Sequence, residues 1–175
     1  MPNQLRTLLF YLLYPLISWL PAHGPINRVR GKLVAPFLGA CGKRFVLGQS
    51  VRIYKPQRIV IGDDVTINSG TYLIGSTATI FIGDGTHIAP RCFLETMNHV
   101  FDNPDMPIRM QGSESADITI GKECWLAYGV VVLPGATIGD GAVVGARAVV
   151  TKDLAPLSVN VGTPAKKLRM RGTGA

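Results

Sequence analysis

At 175 residues the chain is long enough for one domain with a sizeable core and too short for two independent ones. Hydrophobic residues make up 47% and charged residues 17%, with 20 glycines and 12 prolines, which excludes a disordered chain or a helical bundle and suits short strands between tight turns. The net charge of +7 fits a phosphorylated cofactor, a membrane surface or a plain soluble basic surface; no basic run is interleaved with aromatics, so nucleic acid is not expected.

The first predicted element is the apolar run of residues 8–20, LLFYLLYPLISWL. It falls short of the roughly 20 apolar residues that span a bilayer, and Pro15 interrupts it. Only Arg6 precedes it as a cation and no small-residue cleavage site follows, which argues against a signal peptide. Two readings stay open. The run is a helix packed on the rest of the protein, or it lies in a membrane interface with Tyr11, Tyr14 and Trp19 at headgroup level and Arg28, Arg30 and Lys32 toward anionic lipid. Residues 1–45 are accordingly expected to be an N-terminal apolar helical segment.

From residue 46 a period of six takes over. Aliphatic residues recur at Leu47 and Ile53, at Ile61, Ile67 and Leu73, and at Ile82, Ile88 and Leu94. The phase slips at Ser76 to Ile80, where a short insertion is expected.

Residues 95–117 then break the period. This polar stretch is too long for a passive corner, and long loops in compact domains are usually functional or disordered. It carries His99, the only histidine outside both the repeat register and the N-terminal segment. Histidine is the natural base for deprotonating a hydroxyl near neutral pH.

After the loop the ladder is unbroken through Ile120, Leu126, Val132, Ile138, Val144 and Val150. Four residues after each comes a second interior candidate: Cys124, Val130, Ala136, Ala142, Ala148 and the larger Leu154. Such a chain turns a corner every six residues, with Gly, Asn or Asp where φ is positive, and stacks successive coils as parallel strands about 4.8 Å apart. Residues 46–165 are therefore expected to be one repeat domain. Cys92 and Cys124 fall on the small interior position and read as core; with Cys41 they form no pairing pattern, which points to a reducing compartment. The last segment, 166–175, is a basic tail with Lys166, Lys167, Arg169 and Arg171, expected as a short helix.

The ladder, the block Ile120-Gly121-Lys122-Glu123-Cys124-Trp125-Leu126, the turn Leu133-Pro134-Gly135 and the ending Gly162-Thr163-Pro164-Ala165-Lys166-Lys167-Leu168-Arg169 resemble the hexapeptide-repeat acyltransferases. The likeness runs from about Ile59 to Arg169 and is nearest to the maltose, galactoside and streptogramin acetyltransferases. It implies an all-β, left-handed parallel β-helix with a protruding catalytic loop, a homotrimer with sites between subunits, and acetyl-CoA as acyl donor in the cytoplasm. By position it makes His99 the catalytic base, Asn68 an acceptor contact, Trp125 a neighbour of the pantetheine arm, and Ala146 and Thr151 cofactor contacts. Lys166 and Arg169 match the basic pair that meets the cofactor phosphates, as Arg suits bidentate phosphate binding. Tyr128 departs from a serine in the galactoside branch, and no metal is implied.

The expected reaction is direct acetyl transfer to a sugar hydroxyl with no acyl-enzyme, in exopolysaccharide or lipopolysaccharide modification, with contact between the N-terminal segment and the inner membrane face. Asp102 and Glu95 are candidates to orient His99. A free small acceptor (a sugar, serine or an antibiotic) and a non-catalytic β-helix scaffold are the alternatives. A γ-type carbonic anhydrase would need a three-histidine zinc site, which His23, His87 and His99 do not supply within one chain.

Overall fold

A computed structural model describes residues 3–173; the outermost two residues of the expected segments 1–45 and 166–175 lie outside it. The repeat register becomes three sheets wrapped around one interior. The first face holds Ala40–Cys41, Ile59–Ile61, Ile80–Ile82, Ile118–Ile120 and Thr137–Ile138. The second holds Val46–Leu47, Thr66–Ile67, His87–Ile88, Trp125–Leu126, Val143–Val144, Ser158–Val161 and Lys166–Met170. The third holds Arg52–Tyr54, Tyr72–Ile74, Phe93–Glu95, Val131–Val132 and Val149–Val150. Pairing between successive coils is parallel throughout, as in Thr66 with His87 and Trp125 with Val143.

The predicted ladder is the core. Ile120, Leu126, Val132, Ile138, Val144 and Val150 are at most 1% exposed, and Cys124, Val130, Ala136, Ala142 and Ala148 at most 2%. Each fully buried aliphatic contributes about 1.5–3 kcal/mol of burial. Corners recur with the same period: positive φ falls at Glu123, Gly129, Gly135, Gly141 and Arg147. Only three of these five corners are glycine, so stacking between coils holds Glu123 and Arg147 in a backbone region that side chains disfavour.

The N-terminal segment packs on the coils. α1 (Asn3–Trp19) continues through Pro15, whose ring lies on the exposed side, so the hydrogen bond lost there leaves a carbonyl that water can reach. Phe10 and Tyr14 are buried against the first coils, stacked at 4.6 Å, and the Tyr14 hydroxyl donates to the Val51 carbonyl. The opposite side of α1 stays open, with Leu5, Leu8, Leu12, Leu16 and Trp19 between 44% and 84% exposed. α2 (Gly24–Val34) covers the strand Val46–Leu47 at the end of the second face. Arg30 is wholly buried and joins these parts: it donates to the carbonyls of Ile17, Leu20 and Pro21, to Leu47 at 2.8 Å, and to Asn27 Oδ1 at 2.7 Å.

Two departures from the period follow. Residues 97–115 leave the third face as an antiparallel hairpin, Met97–His99 with Ser113–Ser115. The expected C-terminal helix is instead a strand: Lys166–Met170 runs antiparallel to Ser158–Val161. Ser158–Val161 is otherwise the unpaired edge of the second face, and the turn at Gly162, with φ of 96°, lays the tail back across it.

Candidate functional site

The second face carries two outward rows. Because Ile67, Ile88, Leu126 and Val144 point inward, their neighbours point out. Strand register lines up Thr66, His87, Trp125, Val143, Val159 and Arg169 in consecutive strands. Beside them run Asn68, Ala89, Ala127 and Gly145, tied by the hydrogen bonds of Asn68 to Ile88, Ala89 to Leu126, Ala127 to Val144 and Gly145 to Asn160. The second row ends at Val161, which pairs with Lys166. Its small residues make a shallow trough next to the half-exposed Trp125 ring, and a Cβ on Gly145 would stand only 2.8 Å from Val161 Cγ1.

At one end of the trough Asn68 Nδ2 lies 3.1 Å from His87 Nε2 and donates to the Ile88 carbonyl at 2.9 Å. At the other end Lys166 and Arg169 are exposed, and Arg169 Nη1 rests against the carbonyls of Met170 and Thr173. Three inter-strand steps, about 14 Å, separate Trp125 from Arg169. Ala146 begins the corner after Val143–Val144, and Thr151 follows Val149–Val150; both are exposed. The Gly162–Ala165 turn is bonded across that corner through Val149 to Gly162 at 3.1 Å and Ala165 to Val149 at 2.8 Å.

His99 stands apart from these rows. It is exposed on the hairpin opposite Ser113, and the hairpin leaves from the third face, whereas Asn68, His87 and Trp125 occupy the second. Among the described residues neither Asp102 nor Glu95 hydrogen-bonds its imidazole, so one chain gives the ring no orienting partner. His87 is the residue that sequence reasoning passed over. Its signal was present: it precedes an inward aliphatic just as Thr66 and Trp125 do, but the inserted hairpin hides that equivalence with Trp125.

Burial pushes the Cys92 thiol up to about 11 and raises Cys124 as well, which keeps both protonated and unreactive inside the coil. Among the described residues no group of three or more His, Cys, Asp or Glu could hold a metal ion.

With this geometry in hand, comparison gives consistent relatives. The bacterial transferase hexapeptide family (six repeats) matches residues 117–152. WcaF of Escherichia coli strain K12, provisionally named a colanic acid biosynthesis acetyltransferase, is 34% identical over 97% of this chain and 89% of its own length. The solved structure of the hexapeptide-repeat containing acetyltransferase VCA0836 from Vibrio cholerae superposes with a TM-score of 0.82 at 27% identity, covering 97% of this chain and 93% of that one. A galactoside acetyltransferase in complex with coenzyme A superposes with a TM-score of 0.82 at 29% identity, covering 96% of this chain and 82% of that one. These likenesses give the coil its hand, that of the left-handed parallel β-helix.

Proposed function

The chain belongs to the hexapeptide-repeat acetyltransferases, and we propose that it moves an acetyl group from acetyl-CoA to a hydroxyl of a sugar. The observation that carries this reading is the face joining Asn68 and His87, the Trp125 ring, the small-residue trough and the basic Lys166/Arg169 end in one line. Acetyl-CoA lies along it, its pantetheine arm beside Trp125, with Ala146 and Thr151 at the corner and its phosphates at Lys166 and Arg169. The acceptor hydroxyl sits by Asn68 and His87. His99 removes its proton as the oxygen attacks the thioester carbonyl; the ester C–O bond forms, the C–S bond breaks, and the proton passes to the leaving thiolate. A positioned base of this kind contributes about 10²–10⁴-fold.

His99 and Asn68 lie on adjacent coils and different faces of one chain, which supports a site completed between subunits of a homotrimer. The outward row Tyr72, Phe93, Val131 and Val149 on the third face is a partly buried apolar strip that a neighbouring subunit would cover. The relative named for colanic acid biosynthesis, which matches nearly the whole of this chain, and the one named for galactosides support a glycan acceptor. Incubation with acetyl-CoA and a panel of sugars and nucleotide sugars tests the reading. Acetyl ester on a sugar hydroxyl is the expected product, and transfer to none of the panel would count against it.

No helix among the described residues is long and apolar enough to cross a membrane. The open side of α1, rich in leucine and ending in Trp19, supports peripheral contact with the inner membrane face. Leu12→Glu with Leu16→Glu should abolish co-sedimentation with anionic vesicles without unfolding the coils, because both side chains are already exposed; unchanged sedimentation would remove the membrane contact.

A further inference from the structure

We infer that the cleft between α2 and the first coil binds a phosphate or diphosphate group carried by the acceptor. The inference rests on the sugar-transfer reading and names the acceptor class more narrowly, as a glycosyl phosphate.

The cleft has a volume of about 740 Å³. Arg28 and Lys32 of α2 line one wall, and Lys43 and Arg44, from the corner after Ala40–Cys41, line another with Asp64 and Thr66. Arg44 is engaged by Asp64 in an ion pair. That leaves the exposed side chains of Arg28, Lys32 and Lys43 with no ion-pair partner among the described residues, while the Lys43 backbone N–H donates to Asp63 Oδ1 at 2.7 Å. The wider chain has the same bias: its first 62 residues contain nine Lys and Arg and no Asp or Glu, while all eleven acids lie from Asp63 onward. Arg28 and Lys32 are four apart on one helix, where like charges repel unless an anion is shared between them.

The wall is held firmly. Arg30, between those two cations, is the buried clamp, and a Cβ at Gly31 would stand 2.3 Å from the Phe45 carbonyl oxygen, so α2 lies in close contact with the coil. The cleft reaches the strand beside which the acceptor is proposed to sit. Thr66 lines it, is in register with His87, and is two residues from Asn68. An anion held by Lys32 and Lys43 would then lie on the Thr66 side of the proposed sugar position.

The cofactor cannot account for this second cationic site. Five inter-strand steps, about 24 Å, separate Thr66 from Arg169, where the cofactor phosphates are proposed to bind. One face then reads in order as acceptor phosphate, sugar hydroxyl, thioester and cofactor phosphates. Whether the acceptor phosphate is esterified to a nucleotide or to a lipid, the cleft recognises the same group.

The test is calorimetric titration of inorganic pyrophosphate into the full-length protein, with coenzyme A at saturation so that the C-terminal cations are occupied. Saturable binding is expected, weakened at least about tenfold by Lys32→Gln with Lys43→Gln. Lys32→Arg with Lys43→Arg should retain it, as should Lys152→Gln at the far end. In transfer assays the Gln double variant should raise KM for galactose 1-phosphate at least about tenfold and leave KM for galactose unchanged. Absence of pyrophosphate binding, or equal affinity in the Gln double variant, overturns the inference. Phosphatidylcholine vesicles with and without phosphatidylglycerol separate the lipid source: loss of sedimentation with intact pyrophosphate affinity would give the cleft to bulk headgroups and overturn it too. Pyrophosphate binding lost in the variant, in a protein that acetylates no sugar, would uphold the anion site and sink the sugar-transfer reading instead.

Discussion

Asn68 and His87, on adjacent coils, hold each other in one hydrogen-bonded state. Asn68 Nδ2 donates to the Ile88 carbonyl at 2.9 Å and faces His87 Nε2 at 3.1 Å. Turning the amide over would set Oδ1 against that carbonyl, acceptor against acceptor, so the Nδ2 orientation is the favoured one. His87 Nε2 must then accept, and the ring proton sits on Nδ1. Nitrogen-15 spectra of the His87 imidazole in neutral solution should report the Nδ1–H tautomer. An Nε2–H tautomer would break the pair.

With Nδ1–H as donor and Asn68 Oδ1 as acceptor, the two residues offer complementary groups to a sugar hydroxyl. His87→Leu should raise KM for the sugar acceptor about tenfold, the cost of one or two lost hydrogen bonds, and leave KM for acetyl-CoA unchanged. An equal effect on both substrates would mean that the substitution disturbs the face as a whole.

Lys166 and Arg169 should matter only to phosphate. Lys166→Ala with Arg169→Ala is expected to weaken acetyl-CoA more than dephospho-CoA in direct titrations, because the side chains lost are charge-assisted donors. Equal weakening would move them away from the 3′-phosphate; no weakening would leave them as solvated surface.

Arg30 is a structural cation. Arg30→Met removes the donor to four carbonyls and Asn27 while filling much of the same space. Stability should fall by about 3 kcal/mol, as buried acceptors lose their partners, with the urea slope unchanged. A midpoint close to wild type would show that water replaces the guanidinium there.

The coils were legible because their signal is a steric requirement repeated every six residues. Ile120 to Val150 must point inward, and they do. The N-terminal segment was ambiguous because one side of its helix packs and the other does not: Phe10 and Tyr14 are buried, while Leu8, Leu12 and Leu16 are open. Burial of Tyr14 and Arg30 corrects the membrane-interface expectation, which places both toward lipid. The tail was misread because Lys166 to Arg171 carry no pattern of their own; the open edge of Ser158–Val161 decides their conformation. His87 and the cleft of Arg28, Lys32 and Lys43 depend on which coil stacks on which, and on where α2 lies, and neither is written in any local run of residues.

The most direct measurement is the rate of acetyl transfer from acetyl-CoA to a sugar hydroxyl by the wild-type protein and by His99→Ala. His99 is exposed on a hairpin outside the core, so the variant should keep its fold, its thermal midpoint and its affinity for acetyl-CoA. Its kcat should fall by at least about 10²-fold. A variant that turns over near the wild-type rate would contradict the assignment of His99 as the base that deprotonates the acceptor.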